Sequence, residues 1–336
     1  MRRQDGFSPV PGMAELEALR SGDRKALAKA LTLVESTRPD HRRETERMLE
    51  LLVGQTGRSL RIGITGIPGA GKSTMIEALG NHVIEMGGRL AVLAVDPSSM
   101  ISGGAILGDK TRMHTLSKNP SAYIRPSPAG TSPGGVARRT RESILVLEAA
   151  GYEVIIVETV GVGQAEAMVS RMTDLFVLML LPGGGDDLQG IKRGVMELAD
   201  IVVINKADGD LRQRANLAEA DVRHALGFIQ PRHSGWEPSV LKTSALDGSG
   251  VRELWDAIVR FREQTEQSGA FSANRKRQLD DWIRMEAREM LLEKFDSDDS
   301  LQTTHRSLGE AVAAGTISPV TAARRLSDRF LNKDKP

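Results

Sequence analysis

Residues 66–74 read Gly66-Ile67-Pro68-Gly69-Ala70-Gly71-Lys72-Ser73-Thr74, a complete GxxxxGK[ST] loop. It follows an apolar run, Leu60 to Thr65, that reads as a buried strand, and it precedes a helix-like stretch from Met75 to Met86. Strand, glycine-rich turn and helix in that order give the pattern a mechanism. The glycines let backbone N–H groups approach phosphate oxygens with no side chain in the way. The helix N-terminus adds the positive end of its dipole. Lys72 is placed to bridge β- and γ-phosphates, and Ser73 to offer its hydroxyl to Mg²⁺. The loop therefore predicts a nucleoside triphosphate as ligand.

The sequence around the loop alternates short β-rich runs with helical segments. The runs fall at 60–65, 89–95, 152–157, 175–180 and 200–204, with a last strand at Val240 to Thr243 and a last helix at Val251 to Arg262. This alternation predicts an α/β fold: a P-loop NTPase whose mainly parallel sheet is flanked by helices. Upstream, Asp23 suits the N-cap of a helix running to about Thr37, and a second amphipathic stretch covers about Asp40 to Val53. Downstream of residue 263 the chain turns charged and helical. Leu279, Trp282, Ile283, Ala287, Met290 and Leu291 mark one helix face, Asp296-Ser297-Asp298-Asp299 breaks it, and Ser318-Pro319 opens a last helix. The expected organisation is an N-terminal helical segment at 1–58, a nucleotide-binding domain at 59–262 and a C-terminal helical extension at 263–336.

Composition narrows the chemistry. The 336 residues contain no cysteine, which excludes disulfides, thiolate metal sites and a cysteine nucleophile. The formal net charge of +1 provides no global field for nucleic acid. No apolar stretch is long enough to span a bilayer, and Met1-Arg2-Arg3 is not followed by an apolar signal core, so cytoplasm is the expected location.

Base and metal recognition are legible further on. Asn205-Lys206-Ala207-Asp208 follows the run Ile201 to Ile204, an NKxD pattern at a strand end. A carboxylate at Asp208 accepts hydrogen bonds from guanine N1–H and the exocyclic amine, whereas adenine N1 would face it with a lone pair. Charge-assisted bonds of this kind are worth about 1.5–3 kcal/mol each. Ser244-Ala245-Leu246 follows the next strand, where a Ser-Ala pair is expected to present backbone N–H to guanine O6. Glu158-Thr159-Val160-Gly161 stands where a DxxG is usual: Glu158 is expected at the Mg²⁺ shell and Gly161 at the γ-phosphate. Asp96 and Asp109 are the best candidates to join Ser73 and Glu158 there, since Mg²⁺ favours a few carboxylates plus water. Val162, after Gly161, cannot orient a water, so slow intrinsic hydrolysis raised by a partner is expected.

Asp96-Pro97-Ser98-Ser99, the run Ile106 to Met113, Glu158 to Gln164 and Asp187-Leu188-Gln189-Gly190-Ile191-Lys192 together resemble the MeaB/ArgK family of GTPase chaperones associated with methylmalonyl-CoA mutase. The resemblance spans about residues 15 to 330. It implies a SIMIBI-class P-loop GTPase that dimerises through its C-terminal helices. It also implies a partner, an adenosylcobalamin-dependent acyl-CoA mutase, whose cofactor loading and reactivation the GTPase gates without binding cobalamin itself. By motif, Asp96, Asp109 and Glu158 match the family's Mg²⁺ and catalytic carboxylates, and Lys72 and Gly161, read above from their own patterns, complete the expected catalytic set. Residues 182–194 match its additional switch loop, with Asp186, Asp187, Gln189 and Lys192 as relay candidates. Gly183, Gly184 and Gly185 would let that loop rearrange at little cost.

Other classes fit less well. Metal-insertion GTPases of similar design rely on His or Cys sites, and the six histidines here are scattered. A kinase would need an acceptor pocket, and none is legible. A scaffold with merely structural nucleotide would not require Lys72, Ser73 and the carboxylates.

Overall fold

The computed structural model describes residues 13–95, 113–126, 133–159, 165–183 and 193–332. Among these, the first compact unit runs through Gln278, and the second begins at Leu279.

The first unit opens with three helices: α1 (Met13–Arg20), α2 (Arg24–Glu35) and α3 (Pro39–Leu52). Asp23 caps α2 as its sequence suggests, accepting from Lys25 N and Ala26 N. There follow β1 (Leu60–Gly66), α4 (Lys72–Glu85), β2 (Leu90–Val95), α5 (His114–Lys118), β3 (Ala122–Pro126), α6 (Pro133–Ala149), β4 (Val154–Thr159) and α7 (Ala165–Ser170). The series continues with β5 (Leu175–Leu180), α8 (Arg193–Met196), β6 (Ile201–Ile204), α9 (Arg212–Leu226), β7 (Ser239–Lys242) and α10 (Val251–Gln267).

The seven strands form one sheet in the order β3-β2-β4-β1-β5-β6-β7. Every pairing is parallel. The alternation of side chains explains the layers. Ile62 and Ile64 of β1, Val177 of β5 and Val203 of β6 pack on one face with Ile76 and Leu79 of α4 and Leu254 and Phe261 of α10. Leu178, Leu180, Val202 and Ile204 point the other way, against Ala218 and Val222 of α9. Buried on both faces, the central strands read as continuous apolar runs, and each fully buried Leu, Ile or Val contributes roughly 1.5–3 kcal/mol.

The edge strand β3 is covered by the N-terminal helices. Arg24 Nη1 donates to the carbonyls of Asn119, Pro120 and Ala122 at 3.2, 3.3 and 2.8 Å, and its guanidinium lies over Tyr123. Arg125 pairs with Glu35 of α2. These contacts occupy backbone acceptors that an open edge would offer to another chain.

At the opposite end of the sheet from the phosphate loop, carboxylates are buried below β5 and β6. Asp174 takes a two-toothed ion pair from Arg275, which also donates to the Gly57 and Ser59 carbonyls, and it accepts from Arg61 N. Asp200 accepts from Phe176 N at 2.8 Å and lies 3.8 Å from Arg232 and 3.6 Å from His233. Burial pushes the Asp200 carboxyl up to about 7, against the pull of Arg232 and the Phe176 amide. Burial, with Arg232 and Arg277 nearby, holds the His233 imidazole down at about 4.

Helix α11 (Ala270–Asp296) contributes Phe271, Asn274, Arg275 and Gln278 to the first unit. Within the second unit, Asp298 caps α12 (Asp299–Ala313), and Ser318 caps α13 (Pro319–Leu331) with proline at the first turn. Phe295 meets Phe330 edge-on at 5.3 Å, while Leu279, Ile283, Met290 and Leu291 stay exposed. Among the described residues no helix is long and apolar enough to cross a membrane.

Candidate nucleotide site

The site forms where β1 ends, at the carboxyl edge of the sheet beside β4, the point at which strand order reverses and such folds bind ligands. Gly66 closes β1 so near to β5 that an added Cβ would lie 2.4 Å from the Met179 carbonyl oxygen. Ala70 is fully buried and donates to the Ile67 carbonyl, turning the loop. Gly71 caps α4 with φ +82°, and a Cβ there would meet Asn205 Nδ2 at 2.5 Å. Helix α4 thus starts at Lys72, three residues before the expected Met75. Its first-turn N–H groups have no intrahelical acceptor and are directed at the loop.

Lys72 Nζ donates to the carbonyls of Gly66 and Ile67 at 2.9 and 3.3 Å, folding its ammonium over the loop. Ser73 is buried and donates to Glu158 Oε1 at 3.1 Å, while Thr74 beside it is exposed. Glu158, 3 % exposed, lies between β1 and β2, in register with Ile64 and Ala94. One residue on, Thr159 donates to Thr65 at 2.7 Å and ties the ends of β4 and β1 together. A buried hydroxyl and a buried carboxylate in contact make a hard oxygen donor pair, the kind Mg²⁺ prefers.

The guanine-type loops converge on the same place. Asn205 Nδ2 donates to the Ala70 carbonyl at 2.7 Å, and its Oδ1 accepts from Thr243 Oγ1 and from Ala245 N at 3.2 and 3.0 Å. One buried amide therefore joins the phosphate loop, the NKxD turn and the Ser-Ala turn. Lys206 has φ +62°, the one positive value outside glycine among the described residues. That conformation costs of order 1 kcal/mol for a residue with a Cβ, and such strain collects at functional turns. It reverses the chain so that Asn205 points inward while the partly exposed Asp208 follows two residues later. Ala207 N donates to Thr243 O, closing the turn. Ser244 is buried and accepts from Asp247 N at 3.4 Å, and Leu246 is exposed. The Ala245 N–H, expected to face the base, is turned to Asn205.

The structure thus brings together Gly66 to Thr74, Glu158, Asn205 to Asp208 and Ser244 to Leu246. Asp96, Asp109, Gly161, Val162, Asp186, Asp187, Gln189 and Lys192 lie outside the described residues. Sequence reading missed Thr65, Thr159 and Thr243 as fasteners. Their one signal is position: each stands at or next to a strand end beside a motif.

Fold and site together define a P-loop nucleotide-binding protein with guanine-type recognition loops. Residues 27–300 match the family model described as "Methylmalonyl Co-A mutase-associated GTPase MeaB". A Mycobacterium tuberculosis protein called "Probable GTPase Rv1496" is 51% identical over 317 residues, covering 94% of each chain. "GTPase ArgK" of Escherichia coli is 45% identical over 313 residues, covering 93% of this chain and 95% of the other. A solved structure described as "Crystal structure of LAO/AO transport system kinase" is 38% identical with a TM-score of 0.75, covering 95% and 97% of the two chains. The chain belongs to the MeaB family and is a GTPase.

Proposed function

We propose that this GTPase holds GTP with Mg²⁺, hydrolyses it slowly alone and faster with a partner, and so gates adenosylcobalamin handling by an acyl-CoA mutase, with methylmalonyl-CoA mutase as the favoured one. The observation that carries the nucleotide chemistry is the buried Ser73–Glu158 pair beside the phosphate loop. The mutase enters through the family to which the chain belongs.

In this reading the loop N–H groups and Lys72 bind the β- and γ-phosphates and orient them for in-line attack by water. Ser73 and Glu158, with Asp96 and Asp109, hold the metal. Mg²⁺ held there would neutralise charge on the phosphates. Asp208 reads guanine N1–H and the exocyclic amine, and Gly161 donates its N–H to the γ-phosphate. Water adds to the γ-phosphorus, the bond to the β-phosphate oxygen breaks, and GDP and phosphate leave. Segment 182–194, through Asp186, Asp187, Gln189 and Lys192, carries the nucleotide state to the mutase. The exposed apolar residues of α11, Leu279, Ile283, Met290 and Leu291, recur at helical spacing and support dimerisation of the second unit.

GTP turnover measured with and without a purified adenosylcobalamin-dependent mutase tests the reading. The expected result is a slow basal rate, stimulation by the mutase, and loss of that stimulation in Lys192→Glu with GTP affinity intact. A rate on the order of 1 per second for the protein alone, the low end of ordinary enzyme turnover, or indifference to every such mutase would overturn it. GTP labelled at the γ-phosphate separates hydrolysis from kinase activity: label appearing on an acceptor molecule would favour the latter.

A further inference from the structure

The parallel ladder between β1 and β4 stops at the site. Its last partners are Ile64 and Glu158. Beyond them β1 stays with β5, with Thr65 opposite Leu178 and Gly66 opposite Met179, while β4 stays with β2, with Thr159 opposite Val95. The two strands thus lose their backbone pairing where the crevice of such a sheet opens. At the first step past the ladder, Thr159 Oγ1 donates to Thr65 Oγ1 at 2.7 Å. Both side chains are buried, Thr159 at 0 % and Thr65 at 1 % exposure.

Strand alternation puts this bridge on the opposite face of the sheet from Glu158. Ile64 packs in the core shared with α4, and Glu158 meets Ser73 of α4. Gly63, on the same face as Thr65, looks the other way, where a Cβ would come within 3.0 Å of Val169 in α7. The end of β4 is therefore held on both faces by residues adjacent in the chain. The chemistry of the bridge is informative. The rest of β4 is apolar from Val154 to Val157, and valine has nearly the outline of threonine. Two valines would fill the same space without burying two hydroxyls, and replacing both partners of a buried hydrogen bond by apolar groups of the same shape is close to neutral for stability. What the hydroxyls add is a fixed distance and direction between two strand ends, which apolar packing does not impose.

We infer that Thr65 and Thr159 are positioning residues for GTP hydrolysis, and that their hydroxyl bridge sets the spacing between Glu158 and the phosphate loop. Thr159 follows Glu158 directly, and Thr65 leads directly into Gly66, the first residue of the loop. The bridge thus fixes, from the far face, the gap that the Ser73–Glu158 contact of 3.1 Å spans on the near face. Without it the two strand ends have no direct tie beyond Ile64 and Glu158. The loop N–H groups and the base-recognition turns keep their own contacts, so the effect falls on the alignment of hydroxyl and carboxylate. Outer contacts that orient metal-holding groups are worth up to ~10²-fold in metal affinity or activity. The inference rests on the reading above in which Ser73 and Glu158 hold Mg²⁺.

The double variant Thr65→Val/Thr159→Val tests it in the full-length protein, because it keeps the packing and removes only the bridge. Its urea midpoint should equal or exceed that of the parent, and its GDP affinity without Mg²⁺ should be unchanged. Its single-turnover GTP hydrolysis should be about tenfold slower, and Mg²⁺ titrated into the GDP-bound protein should bind up to about tenfold more weakly. Thr159→Ser, which keeps the donor, should restore both rate and Mg²⁺ affinity. A double variant with parental rate and Mg²⁺ affinity, a rate that falls only in step with the urea midpoint, or a Thr159→Ser as impaired as Thr159→Val would overturn the positioning role. Glu158→Gln separates the two levels. If it binds Mg²⁺ and hydrolyses GTP normally, the assignment of Glu158 fails and the inference fails with it. If it is impaired while the double valine variant is normal, only the threonine bridge is wrong.

Discussion

Single residues divide the labour at the base site. Asn205 makes three hydrogen bonds within the protein, so it shapes the site, and in the proposed reading discrimination falls to Asp208. Replacing that carboxylate by an amide exchanges an acceptor for a donor. Asp208→Asn should therefore lose GTP affinity by at least ~10²-fold and gain affinity for xanthosine triphosphate, which carries a carbonyl in place of the amine. Competition between the two nucleotides reads this, and an unchanged preference would remove Asp208 from base recognition. A second residue-scale effect concerns pH. Asp200 keeps its proton up to about 7 in the fold but loses it near 3.8 when unfolded. Across that window the native state binds more protons, so stability falls as pH rises, and the loss is complete above the folded value. His233 runs the opposite way. Its imidazole protonates near 6.5 unfolded and near 4 folded, so stability falls as pH drops through that window. The two slopes oppose between these limits. Asp200→Asn removes one of them, so the variant should be more stable than the parent by roughly 1–3 kcal/mol at neutral pH and should lose stability more steeply on acidification. Urea unfolding across that range reads both effects, and a variant that gains stability in acid would contradict them.

Elements with local signals were legible in the sequence. Asp23 and Ser318 cap helices as their positions before amphipathic stretches predict, whereas Asp298, expected only in a helix-breaking run, caps the helix that follows it. The apolar runs at 60–65 and 175–180 became strands because burial on both faces demands such runs. Elements that depend on tertiary contacts were not legible. Strand β3, Ala122–Pro126, is short, ends in proline and exists against β2, with Arg24 and Glu35 holding its far side. Helix α6 opens with Pro133-Gly134-Gly135, a loop-like start, and gains its stability from packing beside α2 and α3. At the site, the motifs were readable because phosphate and guanine impose fixed residue types. The fastening by Asn205, Thr159 and Thr243 joins positions far apart in the chain, and no spacing rule reveals it. Arg275 is another such fastener. Arg275→Ala leaves the buried Asp174 carboxylate with the Arg61 amide alone, and should cost about 3–5 kcal/mol in denaturant unfolding. A loss below about 1 kcal/mol would mean that the start of α11 is held by apolar packing alone.

For the whole molecule, ligand and fold are one equilibrium. The phosphate loop, Glu158, the NKxD turn and the Ser-Ala turn belong to different strands of one sheet, so a nucleotide that touches all of them binds the folded protein alone. GTP with Mg²⁺ at about a hundred times its dissociation constant should add about 2.7 kcal/mol and raise the unfolding temperature by a few degrees. ATP at the same concentration should leave it in place; equal shifts would show that phosphate contacts dominate and the base is not read. The same topology has a consequence during synthesis. Leu60 of β1 aligns with Val154 of β4, and Ile62 aligns with Leu175 of β5, separations of 154 − 60 = 94 and 175 − 62 = 113 residues. At about 5–20 residues per second, the ribosome needs roughly 5–20 s to deliver both neighbours. Throughout that interval the central strand of the sheet hangs unpaired beside its phosphate loop, so the loop is made well before the sheet that must hold it in shape.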